Sequence, residues 1–591
     1  MQQSGQISPT LAVRRVRWLF AFVAILMAIF LVRAFYLQVI RHDYYSKAAM
    51  SDQLRQYEVP ATRGIIEAHN GSQMVPIVLN QKLYTIYADP TLVKDSSKAS
   101  QTLADILGGN ANDYESKLKT KGTSYVVLAK KVEADKKNQI INKKYPGIGA
   151  QEVSYRTYPN GSLASQLLGF VNSDGKGVYG LEQALNKELS GTAGQLKAVT
   201  DINGVPLAAN SSNIQSSPVQ GKNISLTIDM AMQQQLETIL QDGLKKAKSD
   251  SGSVIIMDPN TGAVKAMANW PTYDPNNYGS VQDTSVFNNA AVSSPLEVGS
   301  IMKPLTVAAA LDAGAIKADQ TYSDPAKWKI DDFTITNIEE DGGPGQKSIS
   351  DILNLSLNTG AVWTLMQMSK PGGTEINQKG REAWYDYMYN HYRLGQLTGI
   401  EQGYEDPGTI PDPDKGYARD LTYANTAFGQ AMTATPLQMA AAFSAIVNGG
   451  VYYQPHIVEA TTDADGKTTV VTPKVLNNKV VSPQVSQEIQ TTLEYVVQKH
   501  YLKPAFNQDL YSVGGKTGTA QIAKPGGGYK ENDYNGTYLG FVGGDKPQYV
   551  IMVRVNDPKN GGYAGTAAAQ PIFTTVGHML IDNFGVTPKG Q

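Results

Sequence analysis

No cysteine occurs in the chain, which excludes disulfide frameworks, thiolate metal sites, iron–sulfur clusters and a Cys nucleophile. Histidine is scarce. The six residues His42, His69, His391, His456, His500 and His578 form no i, i+4 pair, so a His-built metal site or a Ser–His–Asp hydrolase has little to draw on. No charge of one sign dominates either: 52 Lys plus Arg face 53 Asp plus Glu, for a net charge of −1. A chain so balanced has no bulk positive field for phosphates, which argues against nucleic acid as a partner. With 41% hydrophobic and 18% charged residues the composition is globular, and 55 Gly with 29 Pro mark many turns. The 591 residues allow about two to four domains.

Long apolar runs are absent as well, with one exception. From Trp18 to Val32 every residue is apolar, and the stretch continues through Arg33 and Gln38 to Ile40. About 20 helical residues span a bilayer core, and an Arg near one end can reach the interface. Arg14, Arg15 and Arg17 precede the run, while the first acidic residue of the chain is Asp43. The positive-inside rule therefore predicts a cytoplasmic tail over 1–17 and one membrane anchor over 18–40, with the remainder outside the cytoplasm. A cleaved signal peptide has a shorter apolar core, and no small-x-small site follows this one. The lack of Cys fits an oxidising compartment.

Beyond the anchor, residues 41–220 read as a mixed, polar domain. Short β-like runs (YEVPATRGII, MVPIVLN, YTIYADP) alternate with charged helical segments, and Lys, Asp and Asn crowd 94–145 as a solvated face or a docking surface. After PVQGKN (218–223) the pattern changes. SLTID predicts a strand entering the helix MAMQQQLETILQDGLKKA, and SVIIMDPNTGAVKAMAN predicts a hairpin turning at Asp258–Gly262. Strands follow at 511–523, 537–544 and 549–557, then a closing helix. Hairpins early and late with helices between predict an α+β domain over 221–591, its antiparallel sheet built from both ends of that segment.

Three short motifs carry chemistry. In LEVGSIMKPLTVAAAL, Ser300 is expected to cap a helix with Pro304 in its first turn, and Lys303 falls on the same face. A Ser hydroxyl needs a neighbour to take its proton. Lys serves only when neutral, which requires burial or a second cation to lower a reference pKa of about 10.4. The same S-x-x-K spacing recurs at Ser116–Lys119 and Ser173–Lys176, so the apolar helix opening after Gly299 is what distinguishes Ser300. The second motif, Ser356-Leu357-Asn358, offers a hydroxyl to relay protons and an amide to hold a carbonyl; Ser211–Asn213 repeats its spacing, and helix-end capping is the plainer explanation. The third, Lys516-Thr517-Gly518-Thr519, is the one K-[ST]-G in the chain. On a strand Lys516 and Gly518 share a face, Gly518 admits a close neighbour, and the Lys and Thr side chains can clamp a carboxylate beside a backbone N–H.

In this order and within one domain, S-x-x-K, S-x-N and K-T-G resemble the active-site set of penicillin-recognising serine acyltransferases. Over most of residues 15–585 the chain resembles a class B penicillin-binding protein, a monofunctional peptidoglycan transpeptidase. The resemblance is strongest in EVGSIMKPLTVAAAL, FGQAMTATPLQMAAAFSAIVNGG and GGKTGTAQ. Arg63-Gly64, Arg156-Thr-Tyr-Pro159 and Gly180-Leu-Glu182 look like motifs of that class's N-terminal pedestal, and the stretches around 428–450 and 537–557 look closer to its division-type branch than to the elongation type. The resemblance implies that Ser300 attacks the penultimate D-Ala carbonyl of a stem peptide and that Lys303 is its base. Ser356 then passes the proton to the leaving amine, while Asn358 holds Lys303 and the substrate amide. Lys516 and Thr517, with Gly518 and Thr519, would bind the terminal carboxylate, and the backbone N–H groups of Ser300 and Thr519 would form the oxyanion hole. It implies no cofactor or metal, β-lactams as inhibitors that acylate Ser300, and a location in the bacterial cytoplasmic membrane with the catalytic domain outside. A separate membrane glycan polymerase of the shape, elongation and division family is the implied partner. Leu357 stands where class A β-lactamases carry Asp, and no E-x-x-L-N stretch follows, so a slowly deacylating transpeptidase fits better than a hydrolase. A β-lactam sensor would want a longer cytoplasmic segment, and three intact motifs argue against a silent assembly scaffold.

Overall fold

The apolar run forms a single helix, α1 (Pro9–Phe35), that ends in a π-helical turn at Tyr36–Ile40. The stretch Val16–Ile40 has mean hydropathy 2.4 and none of it is covered by other parts of the chain, so it is long and apolar enough to cross a membrane. The computed structural model describes residues 9–45, 54–59, 61–199, 214–337, 343–499, 505–524 and 526–591. Contacts divide the chain into two units, one of residues 1–62 with 191–220 and the other of 63–190 with 221–591. The first holds α1 and, separately, an antiparallel sheet of Leu54–Val59, Gly194–Val199 and Ile214–Ser216. His500 and the Ser211–Asn213 repeat lie outside the described residues.

In the second unit, Ile66–Asn70, Gln73–Ala88, Val126–Val132 and Ile148–Thr157 share a sheet with Asn223–Asp229, Val458–Thr462 and Thr468–Val470. Ile66–Asn70 and Asn223–Asp229 run parallel. The runs MVPIVLN and YTIYADP, read as two strands, are one, Gln73–Ala88, in unbroken register with Ile148–Thr157 from Leu79 to Ala88. Its polar interruption is used: the Asn80 Oδ1 accepts from Arg156 Nη1 at 2.9 Å. Arg63, Arg156 and Glu182 meet in one buried network. Arg63 Nε donates to Glu182 Oε2 and Arg156 Nε to Oε1, each at 2.7 Å, around a carboxylate with no solvent exposure. The Lys- and Asn-rich stretch after residue 94 folds into helices Ser96–Leu107, Ala111–Leu118 and Ala134–Ile141, whose Ala99, Leu103, Leu118 and Ile140 pack on Ile86 and Leu128 while their polar faces stay exposed.

Asp229 starts α2 (Met230–Ala247) by accepting the Met232 N–H at 2.9 Å, and Leu236, Leu240 and Leu244 form its buried stripe. The hairpin β1 (Ser251–Met257) and β2 (Val264–Trp270) turns at Asp258–Gly262, with the Gly262 N–H on the Asp258 carbonyl. Three late strands, β3 (Ser512–Ala523), β4 (Tyr529–Gly543) and β5 (Pro547–Asn556), complete an antiparallel sheet of order β2-β1-β5-β4-β3. This is the expected sheet from both ends of the segment. Its side chains alternate between two cores. Val254, Ile256, Tyr538, Ile551 and Val553 face α2 and the closing helix, α8 (Gln570–Asn583). Ile255, Met257, Leu539, Phe541 and Met552 face a helical layer made of α3 (Lys303–Asp312), α4 (Ile349–Asn354), α5 (Asn358–Ser369), α6 (Pro436–Val447) and α7 (Pro483–Lys499). Strand β3 is an edge of the sheet, and the cleft opens along it.

Candidate active site

The expected helix after Gly299 is present but starts later. Residues Gly299–Met302 form a 3₁₀ turn, and α3 begins at Lys303. Pro304 accounts for the offset: it has no N–H to give and sits in the first turn, and the Lys303 N–H closes the preceding turn on the Ser300 carbonyl. The capping positions are therefore Val298 and Met302, so Ser300 is not a cap. Its helix is buried from Lys303 to Ala310, which is why its sequence is apolar all round.

Lys303 is fully buried and points at the junction of α4 and α5. Its Nζ donates to Asn358 Oδ1 at 2.9 Å, to Ser356 Oγ at 3.2 Å and, closest of all, to the Ser356 carbonyl. That carbonyl was not legible in the sequence, and its presentation has a local cause. Helix α4 ends with the Leu357 N–H on the Ile352 carbonyl at 3.0 Å, a Schellman-type closure that needs a left-handed residue between them. The residue is Ser356, at φ +55°, where glycine is usual and a side chain costs about 1 kcal/mol. The strain turns both the carbonyl and the hydroxyl of one residue toward one ammonium. Asn358 is fixed in turn by donating Nδ2 to the Thr336 carbonyl at 3.1 Å. Its neighbour Thr359 is tied to buried Asp324 at 2.7 Å and accepts from Asn337.

On β3, Lys516 is 3% exposed and donates to the Thr517 carbonyl at 3.1 Å. Thr519 Oγ1 accepts the Gly565 N–H at 3.0 Å. Strand and nucleophile turn are in direct contact through glycines. Gly299, at φ +65°, lies so close to β3 that a Cβ there would stand 2.7 Å from the Thr519 carbonyl oxygen. A Cβ on Gly518 would meet the Val298 carbonyl at 2.8 Å and collide with Thr537 Oγ1. Gly518 is thus set apart from the other motif residues: it is buried against the turn, and its part is to let the two backbones touch.

Ser300, Ser356, Asn358, Lys516, Thr517 and Thr519 all line one cleft of about 450 Å³, with Lys303 beneath it. Phe428, Gln430, Tyr563 and Gln570 form further walls. Sequence reading gave none of these four a role, although Phe428 and Gln430 open one of the stretches where the resemblance is strongest. Of the repeated S-x-x-K matches, Lys119 instead pairs with Glu115 on the surface at 2.8 Å. Among the described residues no group of three or more His, Asp or Glu is arranged to hold a metal ion.

Comparison with known proteins places both parts of the chain in families. A family model described as the penicillin binding protein transpeptidase domain matches residues 252–577, and one described as the penicillin-binding protein dimerisation domain matches 58–226. The chain is 30% identical to stage V sporulation protein D of Bacillus subtilis over 98% of this chain and 86% of that protein. It is 27% identical to the peptidoglycan D,D-transpeptidase FtsI of Escherichia coli, over 97% and 93% of the two chains. Among solved structures, penicillin binding protein 3 of Mycobacterium tuberculosis in complex with ampicillin superposes with a TM-score of 0.67 at 26% identity, covering 90% of this chain and 98% of that one.

Proposed function

The chain belongs to the class B penicillin-binding proteins, and on that premise we propose that it is a peptidoglycan D,D-transpeptidase that joins stem peptides through an acyl-enzyme on Ser300 and is acylated there by β-lactams. The observation that carries this reading is the engagement of buried Lys303 with both Ser356 and Asn358 beneath the cleft that Ser300 and Lys516 line.

The chemistry follows from the placement of each group. Ser300 Oγ attacks the penultimate D-Ala carbonyl and forms the ester, with its proton passing to Lys303. An ammonium has three N–H donors, and the Ser356 carbonyl, Ser356 Oγ and Asn358 Oδ1 accept from them. The neutral amine keeps two N–H bonds, and the lone pair then turns toward the hydroxyl side. Ser356 Oγ, which accepts from Lys303 Nζ at 3.2 Å, relays the proton to the leaving amine, and the bond to the terminal D-Ala breaks. Lys516, Thr517 and Thr519 hold the terminal carboxylate. Backbone N–H groups of Ser300 and Thr519 stabilise the oxyanion, a role supported by the close contact between Gly299 and the Thr519 backbone. An amine of a second stem peptide then attacks the ester, the new amide forms, and the proton returns to Ser300.

The wider reading assigns residues 1–17 to the cytoplasm, 18–40 to a single span of the bacterial cytoplasmic membrane, 41–220 to a pedestal and 221–591 to the transpeptidase domain outside. Arg14, Arg15 and Arg17 ahead of the apolar helix support that orientation. A membrane glycan polymerase is the partner this arrangement calls for, and the division-type branch is the closer fit. The test is to supply the full-length chain with a donor peptide ending in D-Ala-D-Ala and a D-amino-acid acceptor. One free D-Ala per new amide, lost in Ser300→Ala, is the expected result; D-Ala release without amide formation contradicts transfer.

A further inference from the structure

The four residues ahead of the nucleophile are each held by a different neighbour. Leu296 exchanges both backbone hydrogen bonds with Ala434 at 3.0 Å, the Val298 carbonyl accepts from Thr537 Oγ1 at 3.0 Å, and the Gly299 N–H donates to the Gly429 carbonyl at 2.9 Å. The remaining residue, Glu297, is held by its side chain. Glu297 Oε1 accepts the Ala431 N–H at 3.0 Å and the Tyr529 hydroxyl at 3.1 Å. These donors belong to separate elements. Ala431 sits at φ +56° in the loop whose Phe428 and Gln430 wall the cleft, whereas Tyr529 opens β4 opposite Ala523, at the outer end of the β3–β4 hairpin that carries Lys516.

We infer that Glu297 is a positioning residue for acylation, clamping the 428–434 loop and the β3–β4 hairpin onto the segment that carries Ser300. No role in the acyl transfer just proposed requires it, and it is not among the residues that line the cleft. Its second oxygen, Oε2, is buried with no hydrogen-bond partner among the described residues. A surface carboxylate with a purely local role has no reason to accept that cost, whereas a clamp between two elements must enter the interface it closes. Burial pushes the Glu297 carboxyl above its ordinary range, with the two hydrogen bonds acting in the opposite direction. Both partners are neutral donors, a backbone N–H and a hydroxyl, so what the clamp needs from residue 297 is an acceptor oxygen at that position. Displacements near 1 Å at a reacting centre cost on the order of 100-fold in rate, so loosening the segment three residues before Ser300 falls on the acylation step.

This inference rests on the acyl-serine reading, and the experiment separates the two. Acylation of the full-length chain by a chromogenic β-lactam is followed by stopped flow, resolving the acylation rate constant from the preceding affinity, with a thermal melt of each variant. Glu297→Ala is expected to lower the acylation rate constant at least 10-fold with little change in affinity. Glu297→Gln, which keeps the acceptor oxygen, is expected to recover most of that loss. Tyr529→Phe removes one hydroxyl and keeps the ring, so it folds even where Glu297→Ala does not, and it is expected to lower the same constant 3- to 10-fold. A lower melting temperature with an unchanged acylation constant in Glu297→Ala, or an unchanged constant in Tyr529→Phe, overturns the clamp. A Glu297→Gln variant as impaired as Glu297→Ala overturns it in favour of a charge effect. Absence of acylation in the unsubstituted chain defeats the acyl-serine reading itself.

Discussion

Lys303 Nζ stands 2.9 Å from Asn358 Oδ1, joining the first turn of one buried helix to the first residue of another. Because Asn358 also donates to the Thr336 carbonyl, its amide is oriented, and the oxygen rather than the nitrogen faces the ammonium. The lysine that the mechanism needs is thus placed by partners well separated from it in sequence.

Asn358→Ala removes the acceptor and leaves a buried donor without it. Acylation by a β-lactam is expected to fall about 10²- to 10⁴-fold, the usual worth of a positioned proton-transfer group. Stopped-flow acylation kinetics check this, and a change below about threefold removes Asn358 from the account.

Ser356→Gly separates strain from chemistry. Glycine adopts φ +55° without penalty, which offsets the loss of the hydroxyl's bond to buried Lys303, so folded stability is expected to change by no more than about 1 kcal/mol. Losing the hydroxyl is expected to reduce turnover about 100-fold or more. A thermal melt beside an acylation assay tests both; a variant destabilised by several kcal/mol, or fully active, contradicts the roles given to Ser356.

The motifs were legible in the sequence because their residue types are chemically specific and their order is fixed. The hairpin at Asp258–Gly262, the late strands β3 to β5 and the start of α2 were legible because turn residues and alternation signal them locally. Other features depended on contacts between distant segments. The helix start at Lys303 rather than Ser300 follows from how Pro304 closes a 3₁₀ turn, and the single long strand Gln73–Ala88 follows from pairing with Ile148–Thr157. The lysine-accepting carbonyl of Ser356 follows from the closure of α4. Backbone groups carry no sequence signature, so no motif announces them. Gly518 was legible as a point of close approach, but only the contact with Val298 identifies what approaches it.

The network of Arg63, Arg156 and Glu182 makes a separate prediction. Glu182→Gln keeps the shape but leaves Arg63 and Arg156 without the buried charge between them. The expected loss is about 3–5 kcal/mol, the cost of breaking a buried ion pair from one side. Denaturant unfolding checks it, and a loss under about 1 kcal/mol contradicts the central role of Glu182.

Burial raises the Glu237 carboxyl above its ordinary range, although its Oε1 accepts from the Ala164 N–H at 2.7 Å and from Gln233 at 2.8 Å. A carboxyl that holds its proton more tightly when folded favours the native state at low pH. That contribution fades as pH rises from the unfolded value through the folded one. Glu237→Gln keeps the acceptor without the charge, so its melting temperature is expected to equal or exceed that of the unsubstituted chain at pH 7.5. The difference should shrink toward pH 4. A variant that melts lower at pH 7.5 by several degrees reverses the sign and contradicts this.

The central claim is a covalent intermediate on Ser300, and an intact-mass time course of the full-length chain with a β-lactam, beside Ser300→Ala, tests it most directly. One adduct per chain that persists for many minutes and is absent from Ser300→Ala is the expected result. An adduct retained in Ser300→Ala, or none at all in the unsubstituted chain at high drug concentration, contradicts it.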